Sequence, residues 1–224
     1  MINHVNANSK TTSYIKDSEG NFLRDSKGKR ISVTLSKVTG TPKEVGKAKV
    51  AAAMTILNAG LSWIYYGDEI GRSSNTDLHI DKYGNPTNED LWYRQPFKWG
   101  NDDVTPGYQF GNYKIEWDNT NKTLPSLPNQ KKDKTSMLSY YKELCDIKNQ
   151  FGTSQRFVGK NSGTADVVYW QVTGDNGTFN VYINTSSSLK SISASGTLVG
   201  YASANGTACS KTSIQPYSAV VTKS

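Results

Sequence analysis

Apolar residues recur along this chain in distinct rhythms, and each rhythm predicts a different kind of element. Over residues 41–60 the positions Val45, Ala48, Ala52, Thr55 and Ala59 follow helical spacing. Thr41 offers an N-cap, Pro42 the first helical position, Glu44 a capping-box carboxylate and Gly60 the stop, so a helix fills this interval. Its inner stripe is made of mostly small residues, which lets a helix backbone approach a sheet closely. A second helical pattern runs from about 136 to 149, with Met137, Leu138, Tyr141, Leu144 and Cys145 on one face. Residues 61–66 are short, apolar and aromatic, and glycines bound them. That pattern predicts a buried strand of a parallel layer, delivering Asp68 and Glu69 at its C-terminal end.

After Phe151 the rhythm changes to alternation. Residues 167–172 and 179–184 flank the turn Gly174-Asp175-Asn176-Gly177, and small-residue strands follow to Ser224, which predicts an antiparallel sandwich with Trp170 in its core. The first forty residues are polar. Two turn-like near-repeats, Asp17-Ser18-Glu19-Gly20 and Asp25-Ser26-Lys27-Gly28, flank Phe22 and Leu23, and strand-like runs at 14–15 and 31–35 make this an exposed hairpin or long loop. The spacing of Asp17, Glu19 and Asn21 hints at calcium, but the glycines do not suit an EF-hand loop and turn chemistry is the better reading. About sixty residues separate the predicted strand from the second helix and show little periodicity. Long loops at a strand's C-terminal end usually carry function.

The formal charge of +7 and pI near 9.2 raise the question of nucleic acid. The lysines, however, are scattered singly with no basic and aromatic platform, so a solvated surface is the better account. Cys145 and Cys209 have no metal spacing and force no disulfide, and both read as free thiols. No signal peptide or membrane span is legible. A length of 224 residues exceeds one small domain, yet a (β/α)8 barrel alone takes about 250 residues. The chain is therefore expected to be a piece whose missing strands lie upstream of Met1.

Three motifs occur in a telling order: residues 60–71, Gly-Leu-Ser-Trp-Ile-Tyr-Tyr-Gly-Asp-Glu-Ile-Gly; Arg94-Gln95-Pro96-Phe97-Lys98-Trp99; and residues 136–144, Ser-Met-Leu-Ser-Tyr-Tyr-Lys-Glu-Leu. This order resembles the last part of the α-amylase family of glycoside hydrolases, from roughly Thr41 to the end. Residues 214–221 resemble the closing strand of the family's C-terminal domain. The resemblance implies an α/β plus all-β chain: the terminal segment of a (β/α)8 TIM barrel over 1–151, followed by a C-terminal antiparallel β-sandwich over 152–224. It also implies hydrolysis of α-1,4-glucans (starch, glycogen, maltooligosaccharides) with retention, through a covalent glycosyl-enzyme.

Retaining glycosidases need two carboxylates about 5 Å apart. In the family the nucleophilic Asp and the acid Glu come from the fourth and fifth strands, so no catalytic residue is identifiable in this segment. Asp68 and Glu69 are adjacent on a predicted strand and should point to opposite sides, which suits a site wall or a pairing with Arg94 better than catalysis. Asn3-His4 matches the start of the family's Asn-His-Asp motif, with Val5 in the aspartate's place. His4 would hydrogen-bond the sugar in that reading, and is an exposed histidine in the other. Arg94, Pro96, Phe97 and Trp99 either line a sugar subsite or anchor the long loop, while Trp92, Tyr93, Tyr108 and Trp117 are weaker candidates of the same kind. The substrate-binding set is thus His4, Asp68, Glu69, Arg94 and Trp99.

No metal site or cofactor is expected in this segment, and calcium is an option only for the complete parent. The expected partners are an α-glucan and the upstream half of the barrel, with no nucleic acid and no membrane. The compartment is unknown, an extracellular or cell-surface parent fitting a polymer substrate. The isolated segment is expected to be inactive. The competing reading is a non-catalytic carbohydrate-binding or assembly module. Linkage, endo or exo attack, and hydrolase against transglycosylase stay open.

Overall fold

The computed structural model describes residues 9–14, 21, 24, 27–30, 32–37, 42–72, 97–100, 108–110, 113–115, 124–158, 164 and 166–224. Near the N-terminus, β1 (Ser9–Tyr14) pairs antiparallel with β2 (Ser32–Lys37), in register from Ser9 opposite Lys37 to Tyr14 opposite Ser32. This is the hairpin the polar segment predicts. Arg24 Nη1 donates to Gly28 O at 2.7 Å, closing the second turn-like repeat, while the first, at 17–20, lies outside the described residues.

Pro42 opens α1 (Pro42–Ile56), where its missing N–H leaves no intrahelical bond unmade. Burial on α1 falls on Ala48, Lys49, Val50, Ala52, Ala53 and Ile56, continued by Leu57 just past its end, and Thr55 is exposed, against its expected place on the inner stripe. The reason is that α1 meets two neighbours, a later helix and a later strand, so its buried arc is wider than one stripe and rotated from it. The long interval expected to lack periodicity contains a short hairpin, β3 (Tyr108–Phe110) with β4 (Tyr113–Ile115), and a six-residue helix, α2 (Leu127–Lys132). Then comes α3 (Met137–Lys148). Ser136 caps it, its hydroxyl accepting from Ser139 N–H at 3.1 Å. Tyr140, Tyr141, Leu144 and Ile147 are buried on α3, whereas Leu138 and Cys145 are only half-buried, so its inner face is also rotated from the expected one.

The C-terminal third is a five-stranded antiparallel sheet in the order β5 (Arg156–Val158), β6 (Val167–Gly174), β7 (Gly177–Asn184), β11 (Ala219–Lys223), β9 (Thr197–Ala202). The β6–β7 hairpin turns through Asp175 and Asn176, with Gly174 opposite Gly177, where the sequence places it. A separate pair, β8 (Lys190–Ser191) with β10 (Ser213–Ile214), lies outside this sheet. Alternation sends Trp170, Val172, Phe179, Val181, Ile183, Ala219 and Val221 to one face, in a single apolar cluster with residues of α1 and α3. The other face meets a small cluster of Val167, Cys209, Ile214 and Val220.

These contacts correct the expected architecture. What is described is one five-stranded sheet packed mainly on helices, with the two-stranded pair covering part of its back, and a sandwich of two sheets is not what carries the main core. The helix-facing residues of the sheet bury against α1 and α3 because those helices present Ala48, Ala52, Tyr140, Leu144 and Ile147 to them. Trp170 is a core residue as expected, 6% exposed, with its indole N–H unpartnered among the described residues.

Three contacts fix the helices to the sheet's far loops. Gly46 on α1 lies under the Tyr217 ring so closely that a Cβ there would stand 2.3 Å from Tyr217 Cδ2, so glycine is required at that position. Tyr217 has a positive φ of 53°, a strained value for a bulky residue, and its carbonyl accepts from the Tyr140 hydroxyl at 3.2 Å. Lys49 is the third. It is 1% exposed, and its ammonium donates to Thr135 O at 2.6 Å and Ala204 O at 2.9 Å while lying 5.3 Å from the Tyr140 ring centroid. Burial pushes its pKa down to about 8, against the opposing pull of Asp133 and Glu143.

Candidate functional site

The residues that carry the family motif leave α1 through a side-chain cap. The Ser62 hydroxyl donates to Thr55 O at 3.2 Å and Ile56 O at 3.1 Å, satisfying carbonyls at the helix end. The next residues overturn a sequence expectation. Residues 61–65 form no strand, and Leu61 is 92% exposed, Trp63 87% and Tyr65 50%. A strand buried on both faces needs a hydrogen-bonded neighbour on each edge and helices above and below, and among the described residues no strand pairs with this segment. The apolar pattern was expected to form a buried strand, and among the described residues it is neither a strand nor buried.

At Tyr66 the chain turns. Gly67 has φ 95°, and a Cβ there would lie 2.8 Å from Arg72 Nε, so this position is closed to other residues. A single 3₁₀ turn, Asp68–Ile70, follows; Asp68 N–H donates to Tyr65 O at 3.0 Å, and Arg72 N–H donates to Gly67 O at 2.8 Å. The two carboxylates therefore do not alternate on a strand, as expected, but sit on one tight turn. The Glu69 carboxylate folds back to accept from Gly67 N–H at 2.7 Å. Arg72, mostly buried, lays its guanidinium over the Tyr66 ring at 4.2 Å from the centroid.

The turn is held from below by a side chain that sequence reading passed over. Gln130 of α2, nearly fully buried, donates from Nε2 to Ile70 O at 2.9 Å and to Pro125 O at 3.1 Å, and its Oε1 accepts from Leu138 N–H at 3.2 Å. One amide thus joins the carboxylate turn to α2 and to the first turn of α3. Its only sequence signal was a polar residue inside a short helical run. Tyr141 of α3 completes the floor. Its pKa is driven up, chiefly by burial and further by the charges of Asp68 and Glu69, which places both carboxylates near that ring.

Trp99 lies on a second strip docked to the same helix, since Leu127 N–H, at the start of α2, donates to Lys98 O at 3.4 Å. Lys98 is buried and Trp99 is 63% exposed, its ring 4.4 Å from that of Phe97 and tilted by 44°. The structure thus anchors Asp68, Glu69 and Trp99 on α2. His4 and Arg94 lie outside the described residues, as do Asn3, Val5, Trp92, Tyr93, Pro96 and Trp117. The suggested pairing of Asp68 or Glu69 with Arg94 falls there too.

In chemical terms this region offers two carboxylates on one turn, that of Glu69 held by Gly67 N–H, together with exposed aromatic rings and fixed backbone groups. Such a set suits a polyhydroxylated ligand, whose ring faces stack on aromatics and whose hydroxyls bond to carboxylates. Among the described residues no three His, Cys, Asp or Glu side chains stand close enough to hold a metal ion, and no helix is long and apolar enough to cross a membrane. Cys145 and Cys209 are free thiols, both with pKa values raised by burial.

Helix α1, the motif segment with its paired carboxylates and helix α3 all lie within the stretch that a glycoside hydrolase family matches. The α-amylase catalytic-domain family matches residues 5–155, and the chain belongs to that family. The α-amylase SusG of Bacteroides thetaiotaomicron is 32% identical over 110 residues, 49% of this chain and 14% of that protein. Amy13B of Eubacterium rectale shares the fold with TM-score 0.59 at 19% identity, over 83% of this chain and 36% of that one. The isomaltulose synthase PalI of Klebsiella sp. LX3 does so with TM-score 0.57 at 18% identity, over 80% and 38%. The chain therefore spans well under half the length of the proteins it matches.

Proposed function

We propose that this chain supplies the closing segment and one cleft wall of an α-amylase-type glycoside hydrolase that cleaves α-1,4-glucans with retention of configuration. The observation that carries the reading is the run 61–66, apolar and aromatic yet largely exposed, leading into the anchored Asp68–Glu69 turn within a family match over 5–155. Such a run suits a strand that forms only when two neighbours are supplied. Those neighbours are the upstream strands of the barrel, which by the family resemblance also bring the nucleophilic Asp and the acid Glu.

In this reading Trp99 stacks on a glucose ring, Asp68 orients sugar hydroxyls, and Glu69 holds the turn through Gly67. Neither carboxylate attacks the anomeric carbon, because adjacent residues on one tight turn, one of them bonded back to its own backbone, do not flank a glycosidic bond as the two reacting groups must. Arg94 and His4 join the same wall in the assembled enzyme. Any calcium belongs to the complete parent.

The test is release of reducing sugar from starch. The purified 224-residue chain alone should give none, and the chain joined to a polypeptide carrying the upstream barrel strands should give steady release. Turnover by the chain alone, or none in the joined form while sucrose is isomerised, would sink the reading. The second outcome is included because PalI is an isomaltulose synthase of the same fold.

A further inference from the structure

Two identical triplets, Asn176-Gly177-Thr178 and Asn205-Gly206-Thr207, stand at turns of the C-terminal region, and both asparagines are exposed. Asparagine before glycine is a reactive pair, because a glycine nitrogen with no Cβ beside it has open access to the preceding side-chain amide carbon. Reaction further requires that the attacking N–H be free and that the amide oxygen be helped to take up negative charge. The two copies differ in both respects. Gly177 stands opposite Gly174 and closes the two-residue β6–β7 hairpin, so its N–H is engaged in the ladder. Asn176 Nδ2 donates to Gln150 O at 3.0 Å, and no donor reaches its Oδ1 among the described residues.

Gly206 lies outside every strand, has φ 74°, and its N–H has no acceptor among the described residues. Asn205 Oδ1 accepts from Thr207 N–H at 3.0 Å, an Asx turn that folds the side-chain amide back over the Gly206 peptide. The Ser203 hydroxyl lies 3.0 Å from the same oxygen and 2.6 Å from Thr207 O. A hydroxyl has a single hydrogen, which at rest favours the closer carbonyl and turns to Oδ1 as charge builds there, since a charged acceptor makes the stronger bond. That bond is worth most in the transition state, which is where it accelerates reaction. Ser203 is 2% exposed, so its hydroxyl is held in place. The departing nitrogen, Nδ2, donates to Gln215 Oε1 at 3.2 Å.

We propose that Asn205-Gly206 is a self-modification site, at which the chain converts its own asparagine to aspartate or isoaspartate, while Asn176-Gly177 is protected by its hairpin. Gly206 N gives up its proton to hydroxide and forms a bond to Asn205 Cγ. The Cγ–Nδ2 bond then breaks, and the nitrogen takes a proton from water and leaves as ammonia. Water adds to one of the two carbonyls of the resulting cyclic imide: opening at Cγ gives aspartate, and opening at the backbone carbonyl gives isoaspartate. The site adjoins a buried contact. Ala204 O accepts from the Lys49 ammonium at 2.9 Å, and a Cβ on Gly206 would stand 3.2 Å from Thr135 Cγ2. An isoaspartyl link adds a carbon to the backbone at this point, so it disturbs the turn through which α1 is tied to the connection between α2 and α3.

Incubation of the full chain in mildly alkaline buffer, followed by trypsin digestion and mass spectrometry, tests this. Cleavage after Lys190 and Lys211 isolates residues 191–211, in which Asn205 is the only side-chain amide. Enzymatic methyl labelling of the same peptide reads isoaspartate. In the folded chain Asn205 should convert at least about tenfold faster than Asn176, and in concentrated urea the two identical triplets should convert at similar rates. Ser203→Ala should slow Asn205 about fivefold in the folded chain, the worth of one hydrogen bond, and leave its rate in urea unchanged. The comparison of the two sites in the wild-type chain needs no variant, so it decides the matter even if Ser203→Ala misfolds. No conversion at Asn205 in the folded chain, equal rates at the two sites, or faster conversion of Asn176 overturns the proposal. An unchanged rate in folded Ser203→Ala overturns the part given to the hydroxyl.

Discussion

Two aromatic-rich regions of this chain meet opposite fates. Where α1 and α3 meet the sheet, Tyr140, Phe151 and Phe179 are at most 1% exposed, while in the motif segment Leu61, Trp63 and Trp99 stand 92%, 87% and 63% open. Composition does not separate them. The difference is cover: the sheet and the two helices are all within the chain and close on each other, whereas residues 61–66 have no strand beside them among the described residues. The first region closes on itself, and the second is an interface only in the function proposed for it. The common apolar cluster across residues 48–57, 137–151 and the sheet also means that the helices and the C-terminal sheet stabilise one another. Dividing the chain at 151/152 would cut through that core, so the sheet expressed alone should expose its helix-facing side and aggregate.

The comparison breaks most visibly at Tyr140. Tyr140→Ala removes a fully buried ring and the hydroxyl bonded to Tyr217 O, and should cost about 3–5 kcal/mol, enough to abolish a cooperative transition in a marginal fold. Urea titration followed by circular dichroism reads this directly. A loss below about 1 kcal/mol would mean that the helix and sheet regions do not share a core.

A smaller effect belongs to the buried ammonium groups. Lys49→Ala leaves the Thr135 and Ala204 carbonyls without their donor, which should cost about 1–3 kcal/mol. Lys49 and Lys148 both have pKa values lowered by burial to about 8 from 10.5. Between those values the folded protein has released protons that the unfolded chain still holds, so the cost of burying the charges is relieved and stability should rise with pH. Cys145 and Cys209, whose thiols burial also holds protonated, oppose this from about pH 9, and Tyr140 and Tyr141 oppose it at higher pH. Their raised values keep them protonated in the fold after unfolded tyrosines ionise, near pH 10. Denaturation at pH 8 and 9.5 should therefore show a change in stability with pH that is more favourable in wild type than in Lys49→Met. Identical slopes in the two proteins would show that Lys49 is not titrating.

The hairpin tip gives a weaker handle at the other end of the scale. Asp175 Oδ2 accepts from Thr153 N–H at 2.9 Å, Thr153 Oγ1 at 2.7 Å and Ser154 N–H at 3.1 Å, and these bonds lower its pKa to about 2 from 3.8. Its contribution is present above pH 4 and is lost as pH falls toward 2. Asp175→Asn should flatten the acid limb of stability over that range, measured by thermal unfolding at pH 2, 3 and 4, with little change at pH 7. An unchanged acid limb would assign acid unfolding to other carboxylates.

How much of this was legible follows the same division. Helix starts written in local chemistry were readable at Pro42 and near Ser136, because caps depend on neighbours in sequence, whereas α1 ends at Ile56, short of the stop expected at Gly60. The β6–β7 hairpin was readable from alternation around Gly174-Asp175-Asn176-Gly177. Which face of α1 is buried was not, because Thr55 and Lys49 exchange roles only when α3, the sheet and two distant carbonyls are in place. At the candidate site, the segments of Asp68, Glu69 and Trp99 dock on α2, whereas the run expected to be a buried strand is exposed, because a run of apolar residues does not say what would cover it. Gln130 escaped notice for a related reason: an amide joining three elements has no local signature.

The smallest expected effect is the most pointed. Trp63→Ala deletes the largest side chain of residues 61–66, but the ring is 87% exposed, so almost no apolar area returns to water on truncation. The stability of this chain should change by less than about 0.5 kcal/mol, far from the loss at Tyr140. In the joined form carrying the upstream strands, the same substitution should cost about 3–5 kcal/mol, because the ring would then be packed between strands and helices. The contrast between the two measurements, on one residue, separates an interface from an ordinary exposed aromatic. Equal and small losses in both would leave Trp63 a surface residue and remove the strand pairing on which the proposed function stands.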